Sequence, residues 1–263
     1  MEKYIEENKS LWNARTEVHV NSEFYDIPSF MGGACSLKPI ELDLLGDLKG
    51  KKVLHLQCHF GQDTLSMARR GAKVTGVDLS DVAIAKARAL ASELDLDAKF
   101  VCCDVFDLEN HLQGDFDIVF TSYGTIGWLP ELKTWGNLIA KYLKPGGRFV
   151  MAEFHPVVWM FDDYFKEVTY PYFNVAPIVE TSTETYTDGD EGMGETTFHV
   201  WNHALSDVMG ALLSKGLSIN EFLEFDYSPY DCFKNTVKTE NGYQIKGFEG
   251  KLPMVYALVA EKS

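Results

Sequence analysis

The chain has 263 residues, of which 46% are hydrophobic, and this length allows one large domain or two small ones. Acidic residues number 39 against 24 basic residues, and the formal net charge of -15 disfavours nucleic acid and anionic membranes as partners. The polar start and the lack of a long apolar run predict neither a secretory signal nor a membrane span. The five scattered cysteines are typical of reduced thiols, so we expect a cytoplasmic protein.

Strand and helix patterns alternate from about residue 51 to residue 155. Predicted strands cover residues 51–57, 72–79, 98–107, 116–124 and 148–155, and predicted helices cover residues 61–71, 81–94 and 131–147. Gly71 is the expected C-cap of the first of these helices, and Ser80 is the expected N-cap of the second. This alternation predicts a parallel sheet that is covered by helices on both faces.

The pattern changes after Pro156. Two antiparallel strands rich in Thr, Tyr, Phe and Val are predicted between about residues 165 and 202, with an acidic, solvated turn at 188–194 between them. Then follow a helix, a strand, a hairpin centred on Asn241-Gly242 and a final strand, at residues 205–216, 217–227, 236–247 and 253–262. The apolar side of that helix is predicted to carry Leu205, Val208, Met209, Leu212 and Leu213.

The ends of the predicted strands carry the candidate binding residues. In an open α/β sheet, ligands bind beyond the carboxyl ends of the strands, near the point where strand order reverses. Asp78 ends the second strand about twenty residues after the first loop, a placement that predicts hydrogen bonds to both ribose hydroxyls of a nucleoside ligand. Asp104 follows the third strand, where an adenine amino group would need an acceptor.

The segments VLHLQCHFG, VTGVDLS, VCCDVFDL, FDIVFTSYG and LKPGGRFVMAEFHP, taken in this order, resemble the class I S-adenosylmethionine-dependent methyltransferases. The resemblance covers most of residues 51–156, and the HLQCHFGQDT loop is similar to that of a bacterial small-molecule-type subgroup. It implies an α/β, doubly wound, mostly parallel seven-stranded sheet with an antiparallel last strand. It also implies S-adenosyl-L-methionine as cofactor and S-adenosyl-L-homocysteine as product.

With this resemblance, we expect a single domain over residues 1–263. It comprises an N-terminal lid at 1–40, a cofactor-binding core at 45–156, an inserted β cap at 157–202 and a C-terminal part at 203–263. Cofactor contacts are expected from the following residues: Trp12, Arg15, His55, Gln57, Cys58, His59, Gly61, Asp78, Leu79, Asp104, Val105, Thr121 and Ser122.

The first loop departs from the family pattern. His55 stands where the family usually has an acid, Gln57 and His59 replace two glycines, and only Gly61 is retained. A glycine is essential only where the backbone needs a positive φ or where a Cβ would strike the ligand, and this ligand has no pyrophosphate to approach closely. We therefore expect Gln57 and His59 to offer side-chain hydrogen bonds, Gly61 to allow close helix packing, and a loop carbonyl to receive the methionine ammonium.

Two other interpretations of this loop were weighed. His55, Cys58 and His59 could ligate a metal, but their spacing matches no closed zinc site and alternate strand residues face opposite ways, so no metal is expected. A dinucleotide-dependent oxidoreductase would require G-x-G-x-x-G after the first strand, and that motif is absent.

Methyl transfer is an in-line displacement that needs alignment, exclusion of water and, for some acceptors, removal of a proton. Tyr123, Glu153 and His155 are the candidate proton acceptors at the fourth and fifth strand ends, and His155 is preferred because its ordinary pKa lies near neutrality. A packed histidine stiffened by Pro156 is the alternative interpretation of His155.

Two segments are predicted to cover the site. Residues 12–25 carry Trp12 and Arg15, which could cover the cofactor and clamp its carboxylate, or form an ordinary packed helix. The inserted pair carries Trp159, Tyr170, Tyr172 and Phe173, which could line an acceptor pocket or form only the insert's own core.

The sequence thus predicts a methyltransferase that acts on an unidentified small-molecule acceptor. A protein that binds the cofactor without catalysis is the alternative, and a basic peptide acceptor stays open because the chain is acidic. The atom methylated and the oligomeric state are not predicted.

Overall fold

The computed structural model describes residues 3–188 and 194–263. The predicted acidic turn at 188–194 therefore lies mostly outside the described residues, since 189–193 are not among them. Asp188, which was expected to be solvated, instead accepts hydrogen bonds from the backbone N–H groups of Glu23 and Phe24 at 3.0 and 3.2 Å.

Helices and strands follow the predicted order. The helices are α1 (Lys3–His19), α2 (Ile27–Met31), α3 (Pro39–Leu45), α4 (Gln62–Arg69), α5 (Asp81–Glu93), α6 (Lys133–Tyr142) and α7 (Leu205–Leu213). The strands are β1 (Lys52–Leu56), β2 (Lys73–Asp78), β3 (Ala98–Cys102), β4 (Phe116–Ser122), β5 (Leu143–Phe154), β6 (Ile178–Ser182), β7 (Thr196–Val200), β8 (Leu217–Phe225), β9 (Thr236–Lys238), β10 (Tyr243–Ile245) and β11 (Val255–Lys262).

Seven strands form the main sheet in the order β3-β2-β1-β4-β5-β11-β8. The pairs from β3 to β5 are parallel, and β11 runs antiparallel to both of its neighbours. Strand order reverses at β1, because the chain moves outward to β2 and β3 and then returns to β4 on the other side. The predicted sheet is confirmed, and its reversal point lies where a ligand is expected.

The sheet is buried on both faces because its central strands are mostly apolar. Along β1, Val53 packs into the core beneath α3 and α4, whereas Leu54 and Leu56 pack into the core beneath α6 and α7. Ser80 caps α5 as predicted, since its hydroxyl accepts the backbone N–H of Ala83 at 3.0 Å.

Two element ends differ from the prediction by five residues each. Helix α6 ends at Tyr142 because Lys144 precedes Pro145, and a residue before proline disfavours the helical conformation. Strand β3 ends at Cys102 rather than Asp107, because the Asp104 carboxylate accepts the backbone N–H of Phe106 at 2.9 Å and starts a 3₁₀ turn.

Two predictions in the C-terminal part are corrected. Leu213 is 55% exposed, since it is the last residue of α7, and so it does not belong to the buried side of that helix. The hairpin β9–β10 forms, but residues 239–242 make a four-residue connection. A Cβ at Gly242 would lie 2.2 Å from the Ser228 carbonyl oxygen, so the absence of a side chain here allows the segment that contains Ser228 to approach closely.

The inserted strands β6 and β7 pair antiparallel, as predicted, and stand apart from the main sheet. Helix α1 attaches to the free edge of β7, where the Asn8 amide donates to the His199 carbonyl at 2.9 Å and accepts the His199 N–H at 2.8 Å. The N-terminal helix and the insert therefore form one continuous cover above the carboxyl ends of the strands.

Candidate functional site

A large cavity opens at the carboxyl edge of the parallel strands, and its volume is about 1210 Å³. The segments that follow the five parallel strands β1 to β5 form its floor, while α1 and the β6–β7 hairpin contribute its roof. Pockets for a single small ligand usually measure about 300–1,000 Å³. The cavity therefore has room for two small molecules.

The cavity has two halves, which are formed by different segments of the chain. The inner half lies between α1 and the loops after β1, β2 and β3, and the outer half is bounded by residues 154–170 and 230–234 together with the insert. Predicted cofactor residues that line the cavity are Trp12, Arg15, His55, Gln57, Cys58, His59, Gly61, Asp78, Leu79, Asp104, Val105 and Ser122.

Thr121 is the exception among the predicted cofactor residues. It is completely buried, and its hydroxyl donates to the Leu56 carbonyl at 3.4 Å and to Thr125 Oγ1 at 3.0 Å. These bonds place Thr121 beneath the cavity floor, where it supports the segment after β4, so the geometry does not support the predicted direct contact with a ligand.

The first loop adopts a left-handed backbone at three alternate residues. The φ angles of Gln57, His59 and Gly61 are 54°, 50° and 82°. Gln57 and His59 therefore occupy a backbone conformation that favours glycine, and each imposes strain of roughly 1 kcal/mol. A Cβ at Gly61 would lie 2.8 Å from the Phe100 ring and 3.0 Å from Ala87, which confirms that this glycine permits close packing.

Hydrogen bonds hold the strained loop in place. The Gln57 side-chain amide donates to the Thr125 carbonyl at 2.8 Å, and the His59 backbone N–H donates to Asp78 Oδ2 at 2.7 Å. The other oxygen of Asp78 accepts the Ser80 N–H at 2.9 Å. Burial raises the pKa of Asp78 to about 6, although these backbone donors oppose the shift. The carboxylate is thus fixed at the end of β2 and ionised at neutral pH.

His55 is buried beneath this loop. Its Nδ1 lies 2.8 Å from the Thr64 hydroxyl, and its ring packs against Phe120 with the centroids 4.9 Å apart. Burial lowers the pKa of His55 to about 3, so the imidazole is neutral and places no positive charge beside the loop.

Asp63, on the first turn of α4, brings a carboxylate to the cavity lining. Its two oxygens accept the hydroxyls of Ser36 at 2.6 Å and Ser122 at 3.4 Å, and the residue lines the cavity. Burial raises the pKa of Asp63. Asp63 was not predicted from the sequence, where its only signal was an acid two positions after the retained Gly61.

Arg15 projects from α1 into an aromatic enclosure. Its guanidinium carbon lies 5.4 Å from the ring centre of Trp12, 5.8 Å from that of Trp128 and 5.6 Å from that of Phe198. The side chain is 9% exposed and forms no ion pair with any residue in 3–188 or 194–263. A buried, unpaired cation is costly, and an anionic ligand would offset that cost.

Three buried polar atoms of the inner half lack a hydrogen-bond partner among the described residues: Arg15 Nε, Gln57 Oε1 and His59 Nδ1. Buried polar atoms in folded proteins are normally paired. These atoms are one permanently charged donor, one amide acceptor and one imidazole nitrogen. Together they match a ligand that carries both a negative and a positive group.

A hydrogen-bonded pair of histidines joins the loop to its cover. His19 Nδ1 lies 2.9 Å from His59 Nε2, and His19 Nε2 lies 2.7 Å from the Thr185 hydroxyl. Burial lowers the pKa of His19 to about 2 and that of His59 to about 3, with Arg15 adding to both shifts. Both rings are therefore neutral, and they connect α1, the first loop and the insert without adding charge.

The predicted proton acceptors occupy three different environments. Glu153 is buried, and its two oxygens accept the backbone N–H groups of Gly124, Thr125, Ile126 and Phe154. With both oxygens occupied by backbone donors, this carboxylate organises the turn after β4.

His155, the preferred base, lies outside the cavity lining. Its Nδ1 accepts the Val157 N–H at 3.2 Å, and its Nε2 lies 3.1 Å from Glu224 on β8. Burial lowers the pKa of His155, and Glu224 opposes that shift. The preference for His155 is therefore corrected: the structure agrees with the packed histidine beside Pro156.

Tyr123 lines the cavity where the inner and outer halves meet. Its hydroxyl donates to Glu41 Oε2 at 3.0 Å, and its φ of 21° is unusual for a residue with a side chain. Glu41, on α3, is completely buried. The sequence analysis did not identify Glu41, since nothing in the segment PIEL links it to the end of β4.

Aromatic rings form the wall of the outer half. Phe154 packs edge-on against Trp159 and Phe233, with centroid distances of 5.7 and 5.0 Å, and Trp159 is 43% exposed at the entrance. Lys234 is paired with Glu184 at 3.1 Å. Further acids line this half: Asp162, Asp163 and Glu180.

No group of three or more His, Cys, Asp or Glu side chains within residues 3–188 and 194–263 is arranged to hold a metal ion. Over the same residues, no helix has the length and apolar character needed to cross a membrane.

Residues 53–147 match the model of a family described as a methyltransferase domain. A ubiquinone biosynthesis O-methyltransferase of Alkalilimnicola ehrlichii is 32% identical over 120 residues, which are 44% of this chain and 48% of that protein. The chain spans about half the length of the curated relatives that it matches first.

Solved structures resemble the chain over most of its length. An S-adenosylmethionine-dependent methyltransferase from Mesorhizobium loti is 22% identical, with a TM-score of 0.58 over 88% of this chain and 100% of that one. The geranyl diphosphate C-methyltransferase from Streptomyces coelicolor, solved with Mg²⁺, geranyl diphosphate and S-adenosyl-L-homocysteine, is 14% identical, with a TM-score of 0.60 over 100% and 99%.

These likenesses confirm the predicted fold: residues 53–147 match a methyltransferase domain, and the chain shares the fold of the S-adenosylmethionine-dependent methyltransferases that it resembles.

Proposed function

We propose that this chain is an S-adenosylmethionine-dependent methyltransferase whose acceptor is a small molecule. The observation that carries the proposal is the cavity of about 1210 Å³, which lies at the reversal point of the sheet and meets Asp78 on its floor. A protein that binds the cofactor without catalysis would need space for one ligand, whereas an enzyme must hold cofactor and acceptor together.

The nucleoside part of the cofactor is assigned to the ends of β2 and β3. Asp78 accepts the two ribose hydroxyls, with Leu79 beside it, and Asp104 and Val105 hold the adenine. The support for Asp78 is its fixed carboxylate, which lines the cavity and is ionised at neutral pH.

The amino-acid part of the cofactor is assigned to the unpaired groups of the inner half. Arg15 binds the carboxylate, because it is a buried guanidinium without an acidic partner among the described residues. Asp63 and Gln57 Oε1 receive the ammonium, since Asp63 contributes negative charge and the amide oxygen has no other partner. This assignment gives the carboxylate and the ammonium of the ligand each an opposite charge on the protein.

The acceptor is assigned to the outer half. When bound, the cofactor supplies a methyl group that is already activated by a positively charged sulfur, so the protein needs no covalent nucleophile. The residues of the outer half hold the acceptor against that methyl group, and α1 with the insert exclude water. The proposed base is Tyr123, because Glu153 is occupied by backbone donors and His155 lies outside the cavity.

The lining of the outer half selects the chemical class of acceptor. Phe154, Trp159 and Phe233 offer edges and faces of aromatic rings, which pack well against a planar apolar body. Asp162 and Asp163 repel an anionic acceptor, and Lys234 is already paired with Glu184. We therefore propose an aromatic acceptor without net negative charge. Methylation on oxygen is supported by the curated relatives, which are described as O-methyltransferases.

The test has two steps. Isothermal titration calorimetry with S-adenosylmethionine, S-adenosylhomocysteine and NADH is expected to give micromolar or tighter binding of the first two and no heat with NADH. Turnover of labelled cofactor is then measured with a panel of neutral phenols, catechols, aromatic amines and aromatic carboxylic acids. Methylation confined to uncharged aromatic acceptors supports the proposal. Tight cofactor binding with no turnover on any compound of the panel favours the non-catalytic alternative.

A further inference from the structure

We propose that Tyr123 and Glu41 form a proton-accepting pair beneath the outer half, so that the acceptor carries a proton on the atom that is methylated. This inference rests on the proposed function and adds to it a residue, Glu41, that does not contact a ligand. Tyr123 meets the acceptor, and Glu41 acts through Tyr123.

The geometry places the tyrosine between the cavity and the buried acid. Tyr123 directly follows β4, its backbone N–H donates to the Ala152 carbonyl at 2.7 Å, and its ring packs against Phe154 and Tyr230 with centroid distances of 5.4 and 5.2 Å. The hydroxyl donates to Glu41 Oε2 at 3.0 Å. A proton that reaches the phenolic oxygen therefore has a carboxylate as its next acceptor.

The capping role of Glu41 explains only one of its two oxygens. Glu41 Oε1 accepts the Lys38 N–H at 3.3 Å at the start of α3, in the manner of a capping glutamate. Such a residue is ordinarily on the surface, whereas Glu41 is 0% exposed and its second oxygen serves only Tyr123 among the described residues. Burying a carboxyl without a cation is costly, and its persistence here points to a role in proton transfer.

The charged and titratable groups near Glu41 come from four segments. Asp63 lies on α4, Tyr123 follows β4, Tyr227 and Tyr230 follow β8, and the Lys38 ammonium lies 4.8 Å from the ring centre of Tyr230. Burial raises the pKa of Glu41 to about 8, and the negative charge of Asp63 adds to the shift. A cation in the cavity would lower that pKa and make Glu41 ready to accept a proton.

The proposed step balances in atoms and charge. The acceptor X–H gives its proton to the Tyr123 oxygen while the Tyr123 proton moves to the Glu41 carboxylate. The freed electron pair on X forms the new bond to the methyl carbon, and the carbon–sulfur bond breaks with its electron pair remaining on sulfur. Glu41 ends protonated and returns its proton through Tyr123 after product release.

Calorimetry tests this pair without an acceptor. Binding of S-adenosylmethionine is measured at pH 7 in two buffers of different ionisation enthalpy, which gives the number of protons released. S-adenosylhomocysteine serves as the comparison ligand of zero net charge, because it lacks the positively charged sulfur. Wild-type protein is expected to release close to one proton more with the cationic ligand than with the neutral one. The difference is expected to disappear in Glu41→Gln, which keeps the cap, and to persist in Tyr227→Phe, a neighbour outside the cavity lining.

The same calorimetric measurement, repeated on wild-type protein over a series of pH values, tests the pair even if Glu41→Gln does not fold. The proton difference is expected to fall toward zero as the pH is raised well above 8, since Glu41 is then already ionised. Equal proton release by wild type and Glu41→Gln, or a difference that does not change with pH, overturns the pair but leaves the methyltransferase proposal intact. Absence of binding heat with either ligand overturns both.

Discussion

The two halves of the cavity are built in different ways. The inner half consists of strand ends and the turns that follow them, and its key groups are fixed by backbone hydrogen bonds, as when the His59 N–H donates to Asp78. The outer half consists of side chains from distant segments, such as Phe154 and Phe233, which meet through ring contacts.

This contrast separates the structural requirements of the two halves. Strand ends are positioned by the sheet, so a ligand held there is recognised in the same manner whenever the sheet forms. An inserted hairpin can change its side chains without disturbing the sheet, because β6 and β7 pair only with each other in the described chain. We therefore expect substitutions in the inner half to change cofactor affinity and those in the outer half to change acceptor kinetics.

The largest effect is expected for Asp78→Ala. Removing the carboxylate to which we assign two ribose hydroxyls is expected to weaken binding of S-adenosylmethionine about 100-fold by calorimetry, since hydrogen bonds to charged groups are worth about 1.5–3 kcal/mol each. Asp97→Ala removes the same charge from an exposed position before β3 and is expected to leave affinity unchanged. Unchanged affinity in Asp78→Ala would remove the ribose assignment and with it the division between the two halves.

Arg15→Met is expected to weaken binding of both S-adenosylmethionine and S-adenosylhomocysteine about 30-fold, because both carry the carboxylate that this guanidinium binds. Arg70→Met, at an exposed position after α4, is the control for loss of one positive charge. If affinity for both ligands stays the same while the KM of the acceptor rises, Arg15 belongs to the outer half and the acceptor carries the anionic group.

Most residues that line the inner half could be predicted because their signals are local, although Asp63 was missed. Asp78 lies at the end of an apolar strand and before the Ser80 cap, so its position follows from neighbours along the chain. The order of strand and helix patterns, together with the family resemblance, likewise predicted the sheet. The first loop was harder, since the left-handed backbone at Gln57 and His59 is imposed by the fold against the preference of those residues.

The outer half and the proton-accepting pair could not be predicted in the same way. Glu41 and Tyr123 are 82 positions apart, and their contact depends on how α3 packs against the end of β4. His155 was preferred for its ordinary pKa, but its direction depends on the pairing of β5, β11 and β8, which brings Glu224 beside it. Such contacts arise only from tertiary packing.

Activity is expected to depend on pH through Glu41. The pair accepts a proton only when Glu41 is ionised, so the rate falls as the pH drops below the pKa of Glu41 in the loaded enzyme, by about tenfold per pH unit. We expect that pKa to lie below the value of about 8 in the free protein, because the cofactor is a cation. The measurement is kcat against pH with an acceptor identified in the panel. The Glu41→Gln variant is expected to have a low kcat that no longer falls as the pH drops.

Trp159→Ala tests the outer half alone. Removing this half-exposed ring is expected to raise the KM of an aromatic acceptor about tenfold, while the Kd of S-adenosylmethionine changes by less than twofold. Phe173→Ala, another exposed aromatic of the insert that does not line the cavity, is the matched control and is expected to change neither constant. A large loss of cofactor affinity in Trp159→Ala would show that the halves are not separable.

The smallest effect is expected for Gln57→Gly, which restores a glycine at a left-handed position. Relief of roughly 1 kcal/mol of backbone strain is offset by loss of the side-chain bond to the Thr125 carbonyl, so the free energy of unfolding is expected to change by less than about 1 kcal/mol. Cofactor affinity is expected to fall about threefold, because Gln57 Oε1 no longer meets the ammonium.

Gly61→Ala makes the opposite change in the same loop, because it removes a glycine from a left-handed position. It adds strain at a φ of 82° and places a Cβ 2.8 Å from the Phe100 ring, so it is expected to destabilise the fold by about 1–3 kcal/mol in chemical denaturation. If Gln57→Gly stabilises the protein and leaves affinity unchanged, the glutamine has no role toward the ligand. If it weakens binding at constant stability, the loop retains a strained residue because its side chain completes the inner half.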